Sequence, residues 1–235
     1  MRAPTAMAGS TDRSERENVA PAWHTLLLVS LIVSVAVVGA LLGSKGASPA
    51  AVAGTGNRIA HTYMPMLVVQ WALTLYVCRV GRKKNALAAL LGRGWRTVSD
   101  AGRDLALAAM IFVVIAAVET AWTRGVVAAT SAMLPRTAAE SIAWAVVAIS
   151  VGFGEEVVYR GYLQTQFIAY SQRASVGIAV QALLFGLAHG EQGVGAAVRA
   201  MGYGVVFGLV AWWRGSLVPG IAAHIAIDLA PLFRG

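Results

Sequence analysis

Three groups of polar residues in the C-terminal half of the sequence have side chains suited to hydrolysing a peptide bond. They are Glu155-Glu156 with Arg160, then His189, then His224 with Asp228. A carboxylate can take a proton from water, and an imidazole or a second carboxyl group can return it to the leaving group. Donors at the site can also stabilise the negative oxygen that develops during the attack. The residue types therefore indicate acid–base chemistry on a carbonyl.

Spacing predicts which of these side chains share a helix face. Glu156 and Arg160 are four residues apart, so they can pair on one face of a helix. Glu155 is rotated by ~100° from Glu156 and has no partner at helical spacing. His224 and Asp228 are also four residues apart and can present an imidazole and a carboxylate to the same point. Glu155 is thus free to face something other than its own helix neighbours.

The elements that must position these groups are predicted to be membrane helices. Of the 235 residues, 57% are hydrophobic and 13% are charged, against ~25% charged in a soluble domain. Seven apolar runs approach the ~20 residues needed to cross a bilayer. They lie at about 25–43, 59–80, 105–122, 141 to beyond 155, 174–189, 200–213 and 216–233. The sequence predicts an all-α polytopic membrane protein with about seven transmembrane helices, within a range of six to eight.

The chain divides into three regions without an internal repeat. Residues 1–24 are polar and mixed in charge, which predicts a disordered tail. Residues 25–140 are assigned to N-terminal transmembrane helices with a basic loop at 79–104, and residues 141–235 to a catalytic helical core. The run at 25–43 could also be the core of a signal peptide. The further apolar runs favour an uncleaved first span.

The net charge of +8 is explained by membrane topology. The densest basic group is Arg79, Arg82, Lys83, Lys84, Arg93, Arg96 and Arg103. Basic residues between apolar runs are typical of a cytoplasmic loop. This predicts a multi-pass protein of the cell membrane with a cytoplasmic N-terminus, and the Ala, Arg and Gly content is typical of a GC-rich bacterial genome. No basic segment is interleaved with aromatic residues, so nucleic acid is not an expected partner.

Ionisable groups at membrane depth are costly, and each one is a functional hypothesis. Taken singly, each group also has a structural explanation. Glu156 and Arg160 can form a neutralised pair at a helix end, and a lone intramembrane histidine such as His189 often bonds a neighbouring helix. Three polar groups on three successive apolar segments must nevertheless find partners, and the cheapest partners are one another. Two further carboxylates, Glu119 (near Arg124) and Glu191, are weaker candidates.

The order of these groups resembles the pattern of the CPBP (CAAX protease and bacteriocin-processing, or Abi) family. The family includes type II CAAX prenyl endoproteases and lysostaphin-resistance-like proteins. Its pattern is Glu-Glu-x-x-x-Arg, then Phe-x-x-x-His, then His-x-x-x-Asn or Asp. The second element corresponds here to Phe185 and His189. The resemblance covers roughly residues 141–232, and the flanking segments 159–163 and 214–217 also match.

The resemblance implies a helical membrane fold around a polar cavity open to one side. It implies that Glu155 is the catalytic glutamate, activating water. Three more residues would complete the site, namely His189, His224 and Asp228, and three would support it, namely Glu156, Arg160 and Phe185. The expected function is an intramembrane endopeptidase that cuts a membrane-associated peptide or protein.

Three alternatives remain at this stage. A divalent metal such as zinc could be held by Glu155, His189, His224 and Asp228, because two histidines with carboxylates are adequate zinc ligands. A His-Glu-x-x-His helix is absent, which favours a metal-free glutamate mechanism. A proton-coupled transporter is a second alternative, although transporters usually repeat their hydropathy pattern in two halves. The third is a non-catalytic immunity or scaffold protein of the same fold.

Overall fold

The computed structural model describes residues 18–44, 57–81, 86–122 and 133–233. In these ranges the chain is all-α, and its only non-helical pairing is one isolated antiparallel bridge between Gly92 and Ser216. The all-α class predicted from the sequence is confirmed. The predicted polar tail at 1–24 lies mostly outside the described residues.

The described residues form eight helices. In chain order they are α1 (Ala22–Ser44), α2 (Ile59–Val80), α3 (Ala86–Leu91), α4 (Val98–Trp122), α5 (Ala138–Ser171), α6 (Ala174–Ala188), α7 (Val194–Arg214) and α8 (Val218–Leu229). Short 3-10 turns follow α6 at Gly190–Gln192 and α8 at Ala230–Phe233. Two of the helices contain π-helical segments, Ile59–Tyr63 in α2 and Glu156–Gln164 in α5.

Each predicted apolar run corresponds to one helix of this set, and α3 is the additional short helix inside the basic loop. Of the described helices, α2, α4, α5 and α7 are long and apolar enough to cross a membrane. Shorter apolar helices occupy Ala22–Val38, Ala174–Ala188 and Val218–Phe233. The protein is therefore a polytopic membrane protein.

The start of α4 differs from the expected apolar boundary at residue 105. The helix begins at Val98 because the backbone N–H of Asp100 donates to Thr97 Oγ1 (3.1 Å), while Asp100 Oδ2 accepts from the Thr97 N–H (3.1 Å). This reciprocal arrangement is a capping box, which satisfies the first free N–H groups of a helix. Polar first turns of this kind are invisible to a hydropathy pattern, so α4 extends into the predicted basic loop.

Helix α5 lies at the centre of the fold. Its π-helical segment is buried throughout, and five of its residues join the main core together with Leu184 and Phe185 of α6. Those five are Val157, Val158, Tyr159, Tyr162 and Leu163. Helix α8 packs against both α4 and α5. The residues of α5 and α8 predicted to do chemistry are therefore on neighbouring elements.

Side-chain and backbone contacts define one end of the helix bundle, called here the basic end. Gln166, near the end of α5, accepts a hydrogen bond from the Val19 N–H just before α1 (2.6 Å). The Arg93 N–H donates to the Gly215 carbonyl at the end of α7 (2.7 Å), and Arg214 Nε donates to Asp104 at the start of α4 (2.9 Å). The start of α1 and the predicted basic loop thus lie on the same side, as the sequence topology requires.

The contact between α5 and α8 depends on Gly152. A Cβ added at this position would lie 2.8 Å from Ile225 Cγ1 and 2.9 Å from the Ile225 backbone nitrogen. We expect Gly152→Ala to push α8 away and to lower the free energy of unfolding by about 1–3 kcal/mol. Thermal unfolding of the detergent-purified protein measures this loss.

Gly202→Ala in α7 is the matched control, since no described atom lies within 4 Å of its added Cβ. Alanine is the better helix former by about 1 kcal/mol, so this variant should be as stable as the parent or more so. Equal Tm values for the two alanine variants would contradict the tight α5–α8 contact.

Candidate active site

Glu155 lies where the first, α-helical part of α5 meets the π-helical segment. Its Oε2 is buried without a hydrogen-bond partner and lies 3.5 Å from His224 Nε2. The preceding Gly154 allows α2 to approach, because a Cβ there would overlap Gln70 Nε2 and lie 2.6 Å from Thr74 Oγ1. The carboxylate therefore faces His224 of α8, while the residue before it packs against α2.

Glu156 and Arg160 form the predicted ion pair. Arg160 Nη1 donates to Glu156 Oε1 at 2.8 Å, and neither side chain is exposed at all. The guanidinium carbon of Arg160 also lies 4.3 Å from the ring centre of Phe185 and 5.2 Å from that of Phe207. A cation over aromatic faces gains electrostatic energy when it is removed from water. The pair is thus enclosed by protein, and it lies inside the π-helical segment rather than in a regular α-helix.

His224 connects the groups of α5 and α8. Its Nδ1 donates to Glu156 Oε1 at 3.0 Å, because a carboxylate can only accept. Its Nε2 faces Glu155 Oε2 at 3.5 Å and Asp228 Oδ2 at 3.7 Å. These two distances exceed those of good direct hydrogen bonds and suit a bridging water. Phe207 stacks on the imidazole at 5.3 Å, which fixes the ring plane.

His189 caps the C-terminal end of α6. Its Nδ1 donates to the Phe185 carbonyl at 2.8 Å, which leaves Nε2 available to the cavity. The Phe185 ring lies between the two imidazoles, 4.6 Å from His189 and 6.1 Å from His224. Among the contacts of the described residues, His189 makes no direct hydrogen bond to Glu155, His224 or Asp228. Its connection to them is through Phe185 and the shared cavity.

One cavity of about 930 Å³ contains the predicted residues. Its walls are mostly apolar, and its lining includes Glu155, His189, His224 and Asp228. Glu156 and Arg160 lie behind this wall. The structure therefore brings the four residues to one space, and their catalytic roles remain a prediction.

Several polar residues of the cavity were not found by sequence reasoning. Gln70, Arg199 and Tyr203 line it, and none belongs to a motif at recognisable spacing. Arg199 Nε pairs with Glu119 Oε1 at 3.5 Å, and the Tyr203 hydroxyl donates to the same glutamate. The pairing of Glu119 with Arg124 suggested by the sequence involves a residue outside the described ranges. Glu119 itself belongs to the cavity wall.

Glu191 lies in the 3-10 turn after α6 and also lines the cavity. Burial raises the pKa of its carboxyl group, and the neighbouring His189 partly opposes that shift. Glu191 is therefore a second partly buried carboxylate of the same cavity, and it makes no contact with His224. This makes it a suitable comparison for Glu155.

The nitrogen and oxygen donors of the cavity are those that a zinc site would use. Within the described ranges, no three His, Cys, Asp or Glu side chains are grouped closely enough to hold a metal ion. In this arrangement His224 Nδ1 is engaged by Glu156, and the remaining donors are Glu155, Asp228 and the Nε2 atoms of the two histidines.

A family comparison assigns this part of the chain. The family model described as type II CAAX prenyl endopeptidase Rce1-like matches residues 137–230. The matched segment, called here the Rce1-like domain, is similar to this family and supports the resemblance to the CPBP family. Comparison with curated proteins and with solved structures gave no significant match. The protein is thus related to membrane endopeptidases of the CAAX type.

The Rce1-like domain spans α5 to α8 and contains every motif residue of the site. The cavity is larger than the domain. Gln70 of α2 and Glu119 of α4 lie outside the matched residues and still form part of its wall. The N-terminal helices, which resemble nothing beyond generic membrane helices, therefore complete the space in front of Glu155.

Proposed function

We propose that the protein is an intramembrane endopeptidase in which Glu155 activates water to attack a peptide bond. The observation that supports this most directly is the unpartnered, buried Oε2 of Glu155 facing His224 Nε2 across 3.5 Å at the wall of the cavity. A water between these atoms would be hydrogen-bonded to a base and positioned by an imidazole. General-base catalysis requires this arrangement.

Water must reach membrane depth for such a reaction. Glu155 is the eighteenth residue of the 34-residue helix α5, so it lies midway along a helix longer than the ~20 residues that span a bilayer. The cavity gives solvent and an unfolded peptide segment a route to that depth. An enclosed, mostly apolar site also strengthens each electrostatic contact within it.

The remaining residues take separate roles in this proposal. Glu156 accepts from His224 Nδ1 and so directs Nε2 toward Glu155 and Asp228. When the imidazole is protonated, its Nε2–H can donate to the tetrahedral oxygen or to the leaving amine. His189 lies on the far side of Phe185 and contacts the same water. Asp228 faces Nε2 of His224, the ring nitrogen that Glu156 does not bind. Arg160 balances the charge of Glu156 from outside the cavity.

The experiment that tests the proposal compares new peptide termini in membranes of cells expressing the parent chain or its Glu155→Gln variant. We expect a set of termini that requires Glu155, drawn from membrane-associated peptides or proteins. Cells expressing Glu191→Gln provide the matched control and should retain those termini. Identical termini with and without Glu155 would contradict a peptidase function.

We expect peptide cleavage to continue after chelation, because Glu155 and His224 can activate water without a metal. Purified, active protein should contain far less than one zinc ion per chain by elemental analysis. Loss of activity with a chelator, together with recovery on adding zinc and a stoichiometric metal content, would contradict this expectation. In that case the same residues would act as metal ligands.

A further inference from the structure

The cavity opens at only one of the two ends in the part of the bundle that the structure describes. Its lining includes His61 near the start of α2, Glu119 near the end of α4 and Glu191 after α6. Chain connectivity places all three opposite the basic end, because successive helices run in alternate directions. This opposite end is called here the cavity end.

Buried residues close the path from Glu155 to the basic end. Along α5 toward that end, Tyr162, Leu163 and Gln166 have no exposed surface, and the Arg160 side chain is likewise buried. Gln166 also binds the residues before α1 through the Val19 N–H. The basic end is therefore closed to a peptide, and the cavity end offers the route to Glu155.

The basic residues are concentrated at the other end. The sequence places these residues between or at the ends of helices on that side: Arg79, Arg82, Lys83, Lys84, Arg93, Arg96, Arg103, Arg173 and Arg214. On the cavity side it places Lys45, Arg58, Arg124, Arg136, Arg199 and Arg234. Of these, Arg58 pairs with Glu140 at 3.3 Å and Arg199 with Glu119 at 3.5 Å. The excess of positive charge thus lies at the basic end.

We infer that the cavity opens to the extracytoplasmic side of the membrane, away from the basic loop. Positively charged connections stay in the cytoplasm, and the bias in short loops sets the orientation of the whole protein. If the proposed peptidase function holds, the substrates are peptide segments that reach Glu155 from the outer face, as in exported or membrane-anchored chains. Polypeptides confined to the cytoplasm have no route to the site.

Single cysteines test the orientation without any assay of activity. Cys78 is the only cysteine of the sequence, so a Cys78→Ala background is free of thiols. Val98 at the basic end is 90% exposed and Val194 at the cavity end is 81% exposed, which makes them matched sites for Val→Cys changes. We expect a membrane-impermeant thiol reagent added to sealed spheroplasts to label Val194→Cys. Val98→Cys should be labelled only after permeabilisation.

A second pair of cysteines tests whether solvent enters the cavity from the same side. Val151 lines the cavity one turn before Glu155, whereas Val146 is 49% exposed on α5 outside the cavity. A small charged thiol reagent added outside should react with Val151→Cys at least tenfold faster than with Val146→Cys, because a thiol facing lipid rarely ionises.

Labelling of Val98→Cys in sealed spheroplasts, or protection of Val194→Cys there, would overturn the inferred orientation. Equal rates at the two α5 positions would overturn the outer route to the site. Each variant is first required to match the thermal stability of its background. Since labelling requires no catalysis, either result is separate from the outcome of the Glu155 experiments.

Discussion

Replacing Glu155 with glutamine should lower kcat for peptide cleavage by about 10²- to 10⁴-fold, the usual contribution of a general base. Glutamine has the shape of glutamate and cannot take a proton from water. The Glu155 Oε2 atom has no hydrogen-bond partner, so its replacement removes no bond from the fold. Thermal stability should therefore stay at or above that of the parent protein. The measurement is steady-state cleavage of a purified peptide spanning a cut site found in membranes.

Glu191→Gln is the control for this experiment. It makes the same chemical change in the same cavity, at a residue that does not contact His224. It should keep kcat within about twofold of the parent, since no step of the proposed reaction uses it. A Glu155→Gln protein with parental kcat would exclude Glu155 as the base, and an equal loss in Glu191→Gln would show a general effect of cavity charge.

Local periodicity explains which parts of this site could be predicted from the sequence. Glu156 and Arg160 pair because residues four apart share a helix face, and the same rule brings the His224 imidazole to Asp228. Hydropathy predicted the helices for a similar reason, since lipid imposes a minimum length on each apolar run. These inferences need only the chain and its solvent.

The remaining contacts depend on how helices pack, which no local rule describes. The bond from His224 Nδ1 to Glu156 joins residues 68 positions apart, and it occurs because Gly152 lets α8 approach α5. The π-helical form of Glu156–Gln164 has no signature in the apolar pattern. Gln70 belongs to a helix without any motif, so its place beside Gly154 could be found only in three dimensions.

His189 shows the limit of inference from motif residues. The family resemblance implied that it would complete one site with Glu155, His224 and Asp228. The structure places it in the same cavity and bonds its Nδ1 to the Phe185 carbonyl one turn earlier. Phe185 therefore has a visible role, because its ring contacts both imidazoles and lies against Arg160. The aromatic residue of the motif spaces the two histidines.

Arg160→Met should lower the free energy of unfolding by about 3–5 kcal/mol, because it leaves the fully buried Glu156 without its cation. Thermal or denaturant unfolding in detergent measures the loss. The double variant Glu156→Gln/Arg160→Met removes both charges and should recover most of that stability. The amide oxygen that this change introduces at position 156 can still accept from His224 Nδ1, so measurable cleavage should return with the fold.

The recovery in the double variant separates support from chemistry. If Glu156 and Arg160 only position His224, a neutral pair that keeps the bond to Nδ1 preserves part of kcat, whereas Glu155→Gln does not. A stable double variant as inactive as Glu155→Gln would show that the charge of Glu156 itself takes part in catalysis. An Arg160→Met protein of parental stability would contradict the structural role of the pair, since a buried carboxylate that loses its arginine is costly even when its bond to His224 is kept.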